Sequence, residues 1–111
     1  MKLDAALMKA SADDACGLLK ALSNPHRLMI VCALIEGEQS VGVLAEILAV
    51  RETVASQHLG LLRRDGLVRA RRDGQTIYYT LESGQARALV ETLSQLFCPA
   101  PTSPAPEGDR S

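Results

Sequence analysis

Apolar residues recur at intervals of three and four along most of the chain, which is the spacing of one face of an α-helix. The first clear stretch carries Leu18 and Leu22 and ends at a Ser-Asn-Pro break at 23–25. Asn24 suits the cap of the next helix, and Pro25 suits its first position, where a missing N–H costs nothing. The pattern predicts five helices, over residues 12–22, 25–35, 40–48 with Ser40 as the cap, 52–65 and 84–97, with a polar stop at Glu36–Gln39. The residues predicted to face inward are Leu28, Val31, Cys32 and Ile35 in the second helix, Leu44, Ile47 and Leu48 in the third, Ala55, Leu59 and Leu62 in the fourth, and Ala88, Leu89, Leu93 and Leu96 in the last.

Two runs of β-forming residues lie between the fourth and fifth helical stretches. They extend over Leu67–Arg72 and Gln75–Leu81 and are joined by Asp73-Gly74, a dipeptide that strongly favours a β-hairpin. A short helix, a turn, a longer helix and a tight hairpin, in this order, form a winged helix-turn-helix. The sequence therefore predicts a mainly α fold with a small β-hairpin wing, of about five helices and two strands. This domain is expected over residues 1–98, followed by a disordered Pro-rich tail over 99–111.

Charge is unevenly distributed along the chain. The formal net charge of the 111 residues is −1, which alone does not suggest a nucleic-acid binder. Residues 51–75 nevertheless contain six arginines and three acidic residues, so this segment carries +3 and the rest of the chain carries −4. A local basic segment of this kind is typical of a surface that contacts a polyanion.

The fourth helix enters the major groove in this architecture, so its outer face is the candidate DNA-reading surface. Hydroxyl, amide and imidazole groups near its N-terminus suit base edges and phosphates, and Gly60 allows a close approach to DNA. Arginines around the hairpin suit a flanking phosphate or the minor groove. The alternative is an ordinary solvated face whose arginines keep the domain soluble. The candidate DNA-binding residues are Arg51, Thr53, Ser56, Gln57, His58, Arg64, Arg69, Arg71, Arg72 and Gln75.

Several ordered motifs together resemble the ArsR/SmtB family of repressors. They are Leu22–Leu28, Ser56–Leu59 with Leu61–Arg63, Asp65–Val68, and the wing Arg71–Gln75 with Ile77–Tyr79. The resemblance covers roughly residues 12–98 and implies a homodimer formed mainly by the first and last helices. It also implies a double-stranded DNA operator with an inverted repeat, because a two-fold protein reads a two-fold site. Arg51 departs from many members, which carry Ser there as the helix cap, so Arg51 is a weak cap and a candidate phosphate contact.

The metal-binding positions of that family are not present in this chain. Metal-sensing members carry a Cys-x-Cys pair in the third helix, where this sequence reads Ser40-Val41-Gly42, or histidines in the last helix, which here contains none. Neither His26 nor His58 has neighbours at ligand spacing. We therefore expect no metal site and no cofactor.

The cysteines resemble the dithiol of the persulfide- and sulfide-responsive subgroup of this family (SqrR/BigR type). Cys32 in the second helix and Cys98 at the end of the last helix match that dithiol together with their flanking residues. The resemblance implies that these helices pack side by side and that a persulfide inducer links the two cysteines through a sulfur chain, or an oxidant through a disulfide. Repression of sulfide-oxidation or detoxification genes is then lifted. The alternative is that both are small buried hydrophobic residues, the common state of free cysteine. Cys16 has no partner in the pattern and is expected to pack or to contact the other subunit.

Three other functions are compatible with the sequence. One is a repressor of the same fold that responds to a metal or metalloid held by the three cysteines, to haem or to peroxide. The others are a small thiol-disulfide enzyme and an interaction module that no longer binds DNA. We do not expect an enzyme, because no Cys-x-x-Cys motif, catalytic triad, paired acid or phosphate loop is visible. No signal peptide or apolar run of membrane length is visible either, so we expect a cytoplasmic protein with no membrane partner.

Overall fold

The computed structural model describes residues 4–98, and the tail predicted to be disordered, residues 99–111, lies outside this range. The three strands form one antiparallel sheet in the order β1-β3-β2. The prediction of a mainly α fold with a helix-turn-helix and a β-hairpin wing is confirmed. The elements in chain order are α1 (Ala5–Leu22), α2 (Pro25–Ile35), β1 (Gln39–Ser40), α3 (Val41–Leu48), α4 (Glu52–Arg64), β2 (Val68–Asp73), β3 (Thr76–Leu81) and α5 (Gly84–Phe97).

The first helix begins seven residues earlier than the apolar pattern predicted, at Ala5 rather than at residue 12. Asp4 caps it, because its carboxylate accepts hydrogen bonds from the backbone N–H groups of Ala6 and Leu7 at 3.0 and 3.3 Å. The added turns are exposed to solvent and bury no apolar stripe. Hydrophobic spacing therefore gave no signal for them, and the cap sets the start of the helix.

The sheet contains a third strand that the sequence pattern did not predict. Gln39 and Ser40, placed in a polar stop and a helix cap, pair with Tyr79 and Tyr78 of β3. Two polar residues are too short a run to show the alternation by which strands are recognised. This pairing joins the start of the helix-turn-helix to the wing.

The hairpin turn is shifted by one residue from its predicted position. Asp73 pairs with Thr76, so the two-residue loop is Gly74-Gln75 rather than Asp73-Gly74. Gly74 has a φ of 65°, which matches the first position of a type II′ hairpin turn, where glycine is preferred. Gln75 therefore lies at the tip of the wing.

The core lies between α2 and the elements that surround it, and it is aliphatic. Along α2 the buried stripe is Ile30, Val31 and Leu34, and not the predicted one that included Cys32. Cys32 lies two residues from both Ile30 and Leu34, and two residues turn the helix by about 200°, so its side chain points away from the stripe. The largest fully buried side chains are Ile30, Val31, Leu34, Leu44, Leu59, Leu62 and Val90.

Two helices differ from the predicted packing in which of their apolar residues are inward. In α3, Ile47 was predicted to be inward but is 45 % exposed, and Ala45 is buried instead. In α5, Leu96 is 71 % exposed and the inward residues are Ala86 and Val90. Both helices are apolar on more than one face, so spacing alone did not select the buried face.

The first helix is the least integrated element of the chain. α1 packs mainly against α2 and buries only Ala21 and Leu22, at its C-terminal end. Leu7, Met8 and Leu19 of α1 remain exposed. Among residues 4–98, no single helix combines the length and apolar character needed to cross a membrane, although α1 and α2, which meet at a 96° bend, satisfy that criterion as a pair.

Candidate DNA-binding surface and cysteine site

The reading helix α4 is anchored by a narrow apolar face and presents a polar face to solvent. Ala55, Leu59 and Leu62 are fully buried, as predicted, and they fix the rotation of α4 against α2 and α3. This rotation leaves the predicted reading positions in solvent. The exposed residues of the outer face are Thr53, Ser56, Gln57, Gly60 and Arg64.

The N-terminus of α4 has no side-chain cap. Arg51 occupies the cap position in an extended conformation and makes no capping hydrogen bond, as the departure from Ser predicted. The N–H groups of Val54 and Ala55 donate to the Arg51 carbonyl at 3.0 and 3.1 Å, but the N–H groups before them have no side-chain acceptor on the cap residue. This end of α4 carries the positive end of the helix dipole. Together with the exposed Arg51 side chain, this end of α4 is suited to a phosphate.

His58 is oriented differently from the other polar residues of α4. It is half-buried, and its Nε2 atom lies 3.4 Å from Nδ1 of His26 at the start of α2. The two rings meet edge to face, with centroids 5.3 Å apart. Among the described residues, His58 Nδ1 is a buried polar atom without a hydrogen-bond partner. Burial, followed by the positive charges of His26 and Arg27, lowers the pKa of His58. The ring thus faces α2, and its predicted contact with DNA stays a prediction.

The arginines of the wing have different partners. Arg71 donates two hydrogen bonds of 2.8 Å to the carboxylate of Glu38 and lies over the ring of Tyr78, with its guanidinium carbon 4.6 Å from the ring centroid. The hydrogen bond from Arg71 lowers the pKa of Glu38. Arg69 forms an ion pair of 3.2 Å with Glu82. Arg72 is exposed and, within residues 4–98, forms no ion pair.

Sequence reasoning missed the ion pair between Glu38 and Arg71. Glu38 was placed in the polar stop after α2, and 33 residues separate it from Arg71. The pairing of β1 with β3 brings the two side chains together. The missed strand and the missed ion pair therefore have one cause.

All three cysteines are free and exposed. Cys32 lies in the last turn of α2, and Cys98 caps the C-terminal end of α5, a helix that packs against α2. Burial raises the pKa of Cys32 most, and the negative charges of Cys98 and Glu36 raise it further. This effect of Cys98 agrees with the packing of α5 against α2. The exposure of both residues argues against the alternative that they are buried packing residues.

Cys32 opens into a cleft between α2 and α5. The cleft has a volume of about 490 Å³ and is lined by Cys32 and Glu36 from one side and by Glu91, Ser94 and Gln95 from the other. Sequence reasoning placed Glu36 in the polar stop and gave neither glutamate a functional role, because nothing in the local pattern relates residue 36 to residue 91. Within residues 4–98, no three His, Cys, Asp or Glu side chains are grouped in a way that would hold a metal ion.

Comparison with known proteins gives consistent relatives. The family described as a helix-turn-helix domain matches residues 22–71. The transcriptional activator HlyU of Vibrio cholerae serotype O1 is 45 % identical over 93 residues, covering 84 % of this chain and 86 % of HlyU. A biofilm growth-associated repressor of Xylella fastidiosa is 44 % identical over 91 residues, covering 82 % of this chain and 80 % of that repressor.

Solved structures show the same fold. The crystal structure of the transcriptional repressor BigR from Xylella fastidiosa has a TM-score of 0.83 and 41 % identity, covering 88 % of this chain and all of that chain. The homodimeric winged helix-turn-helix domain Mb0332 of Mycobacterium bovis, described as a possible ArsR-family regulator, has a TM-score of 0.68 and 31 % identity, covering 86 % of this chain and 89 % of that chain. The chain therefore belongs to the ArsR/SmtB-type winged helix-turn-helix transcriptional regulators, in which it resembles BigR, and it is a DNA-binding regulator.

Proposed function

We propose that this regulator is a homodimeric repressor that releases its operator when persulfide links Cys32 to Cys98. The operator is a double-stranded inverted repeat, and the genes it controls serve sulfide oxidation or detoxification. The observation that carries the proposal is that Cys32 and Cys98 are two exposed thiols on helices that pack together. A pair of this kind is suited to intramolecular sulfur chemistry because the second thiol resolves the product formed on the first.

The chemistry balances with the two thiols and two molecules of a persulfide, RSSH. One cysteine attacks the outer sulfur of the first RSSH, gains that sulfur and releases RSH. The new cysteine persulfide attacks the R-bearing sulfur of the second RSSH, which releases H₂S and leaves a mixed trisulfide. The other cysteine displaces RSH from it and closes a Cys–S–S–S–Cys bridge. The sum is one bridge, two RSH and one H₂S.

The bridge acts on DNA binding through α2. Cys32 lies at the C-terminal end of α2, while the N-terminal end of the same helix contacts the reading helix through His26 and His58. Linking α2 to α5 restrains both helices, and α5 belongs to the proposed dimer interface. A change at that interface alters the spacing of the two reading helices, which an inverted repeat fixes at about 34–36 Å.

The exposed apolar residues of α1 and α5 support the dimer. Leu7, Met8 and Leu19 of α1 and Leu96 and Phe97 of α5 are more than half exposed. Exposed apolar residues on two helices are typical of a surface that a second subunit covers. Homodimerisation would bury them and also supply the two-fold symmetry that the operator requires.

Intact-protein mass spectrometry tests the dithiol. Fully reduced protein is incubated to completion with glutathione persulfide, and the same is done with Cys32→Ser and Cys98→Ser. The expected product carries one or more added sulfur atoms and lacks two hydrogen atoms, and neither variant forms it. Cys16→Ser is the matched control and is expected to form the bridge as the wild type does.

A gel shift on DNA selected from a random pool completes the test. The bridged wild type is expected to lose affinity for the selected sequence, whereas both serine variants retain it after the same treatment. An unchanged mass, or an equal mass change in all variants, would rule out the persulfide bridge. Loss of two hydrogens without added sulfur would indicate an oxidant sensor instead.

A further inference from the structure

We propose that the cleft between α2 and α5 selects the carrier of the transferred sulfur by its charge, with Glu36 as the residue that sets the preference. Persulfides of uncharged or cationic small thiols react faster than persulfides of anionic thiols. This inference rests on the proposed dithiol function and names the class of inducer that the dithiol accepts.

The cleft has the size and the lining of a site for a small thiol. Its volume of about 490 Å³ falls within the range of about 300–1,000 Å³ that is usual for small-molecule sites. Ser94 and Gln95 supply neutral hydrogen-bonding groups, and Cys32 lines the same cleft. Cys98 follows one turn after Ser94, with its backbone N–H bonded to the Ser94 carbonyl at 2.8 Å. A persulfide carrier that binds in this cleft therefore lies beside Cys32 and the other side chains that line it.

The charged residues that line the cleft are both acidic. Glu36 stands one turn after Cys32, and Glu91 faces it from α5. Glu91 is partly neutralised by Arg87, which lies 3.8 Å away and one turn earlier on α5. Within residues 4–98, Glu36 forms no ion pair. Of the two carboxylates, Glu36 therefore contributes more to the negative field at Cys32, to which the charge of Cys98 adds.

The backbone adds to this field. Cys32 lies in the last turn of α2, and Cys98 follows the last turn of α5. The C-terminal end of a helix carries the negative pole of its dipole, which basic side chains in the last turn usually offset. Neither last turn contains a basic residue. The negative end of α2 and the carboxylate of Glu36 thus lie beside Cys32, and the negative end of α5 lies beside Cys98.

Charge affects the first step of sulfur transfer directly. The Cys32 thiolate attacks the outer sulfur of RSSH, a bond forms between these two sulfurs, and the S–S bond of RSSH breaks. The electron pair of that bond leaves on RS⁻, which takes up a proton as RSH. Carboxylates on R are repelled by the negative charge already present at Cys32, which slows the attack. An ammonium group on R offsets that charge.

Sulfur-transfer rates with two persulfides of opposite carrier charge test the proposal. The full chain carries Cys16→Ser and Cys98→Ser, so that only Cys32 gains sulfur, which mass spectrometry follows over time. Cysteamine persulfide is expected to react roughly tenfold faster than glutathione persulfide at low salt, and the ratio is expected to fall as salt screens the carboxylates. Glu36→Gln is expected to lower the ratio about threefold and Arg87→Gln to raise it. Glu46→Gln, which removes an exposed carboxylate on α3, is the matched control and leaves the ratio unchanged.

Alkylation separates this inference from the proposed function. Iodoacetate and iodoacetamide differ by one negative charge, and their rates at Cys32 do not depend on persulfide chemistry. The ratio of the iodoacetamide rate to the iodoacetate rate is expected to fall in Glu36→Gln and to rise in Arg87→Gln. If neither ratio responds to these substitutions, the charge selection is wrong even where the bridge forms. If the alkylation ratio responds but neither persulfide transfers sulfur, the dithiol function is wrong, and the carrier preference falls with it.

Discussion

Arg71 and Arg72 are adjacent in the wing, but only one of them is available to a new partner. Arg71 forms a bidentate ion pair with Glu38 and a cation–π contact with the ring of Tyr78. A bidentate guanidinium–carboxylate pair is among the surface ion pairs that retain a fixed geometry. Arg72 is exposed beside it. Arg71 therefore positions the wing, while Arg72 is the stronger candidate for a phosphate contact.

Alanine substitutions at these two positions are expected to differ in their effect on DNA binding. Arg72→Ala removes a phosphate contact, so it weakens binding to all sequences and reduces the slope of log K against log salt by about one. Arg71→Ala leaves that slope nearly unchanged, because the charge it removes is already neutralised by Glu38. Fluorescence anisotropy with labelled operator DNA over a series of salt concentrations measures both. Equal slopes in the two variants would contradict the assignment.

The contact between α2 and α4 contains two histidine rings that lie edge to face. His58 of α4 lies half-buried against His26 of α2, and its pKa is lowered by burial and by the neighbouring positive charges. The folded state therefore binds a proton at His58 less readily than the unfolded state does. Stability is complete above the ordinary histidine pKa of about 6.5 and falls as the pH decreases through that value toward the folded pKa.

The free energy of unfolding is thus expected to decrease as the pH is lowered from about 7.5 to about 5.5. His58→Gln is expected to flatten this dependence, since glutamine keeps a polar side chain but does not titrate. Urea denaturation at a series of pH values measures the effect. The window lies above the pH at which Glu38, whose pKa is lowered, becomes protonated. A variant with the same pH dependence as the wild type would show that the histidine pair is not its source.

The limits of the sequence-based prediction also lie at the scale of elements. The helices α2 to α5 follow from local signals, namely the cap Asn24 with Pro25, the cap Ser40, and apolar spacing. The strand β1 exists only because β3 lies beside it, so no local signal marks it. The Glu38–Arg71 pair and the position of Glu36 and Glu91 in one cleft also depend on tertiary packing, so no local signal marks them. The pairing of Cys32 with Cys98 was expected only from a family resemblance.

At the scale of the whole molecule, the subunit is thin and extended. Its dimensions are 48 × 46 × 19 Å, and its radius of gyration is 16.2 Å, compared with about 13 Å for a compact chain of 100 residues. α1 projects from the core, and its partner in the fold is mainly α2. The large apolar side chains that are more than half exposed lie on α1 and α5, the helices that the family resemblance assigned to the dimer. A second subunit that covers both helices would pack against this thin subunit and add a second layer to it.

Charge substitutions on α1 and α5 test the proposed subunit interface. Leu19→Glu on α1 and Phe97→Glu on α5 each place a carboxylate where the proposed partner subunit packs, and burying an unpaired charge is strongly unfavourable. Phe97 is 79 % exposed in the isolated subunit, so a monomer tolerates the change while a dimer does not. Sedimentation velocity is expected to show monomers for both variants and dimers for the wild type. Ile47→Glu on α3, a helix that packs against α2 and α4, is the matched control and is expected to remain dimeric.

Each monomeric variant is expected to bind a half-site as the wild type does but to lose about 100-fold or more in affinity for the inverted repeat, because the second half-site no longer benefits from linkage. A dimeric Phe97→Glu variant with unchanged affinity would place the subunit interface elsewhere and would remove the route by which α5 couples the dithiol to DNA.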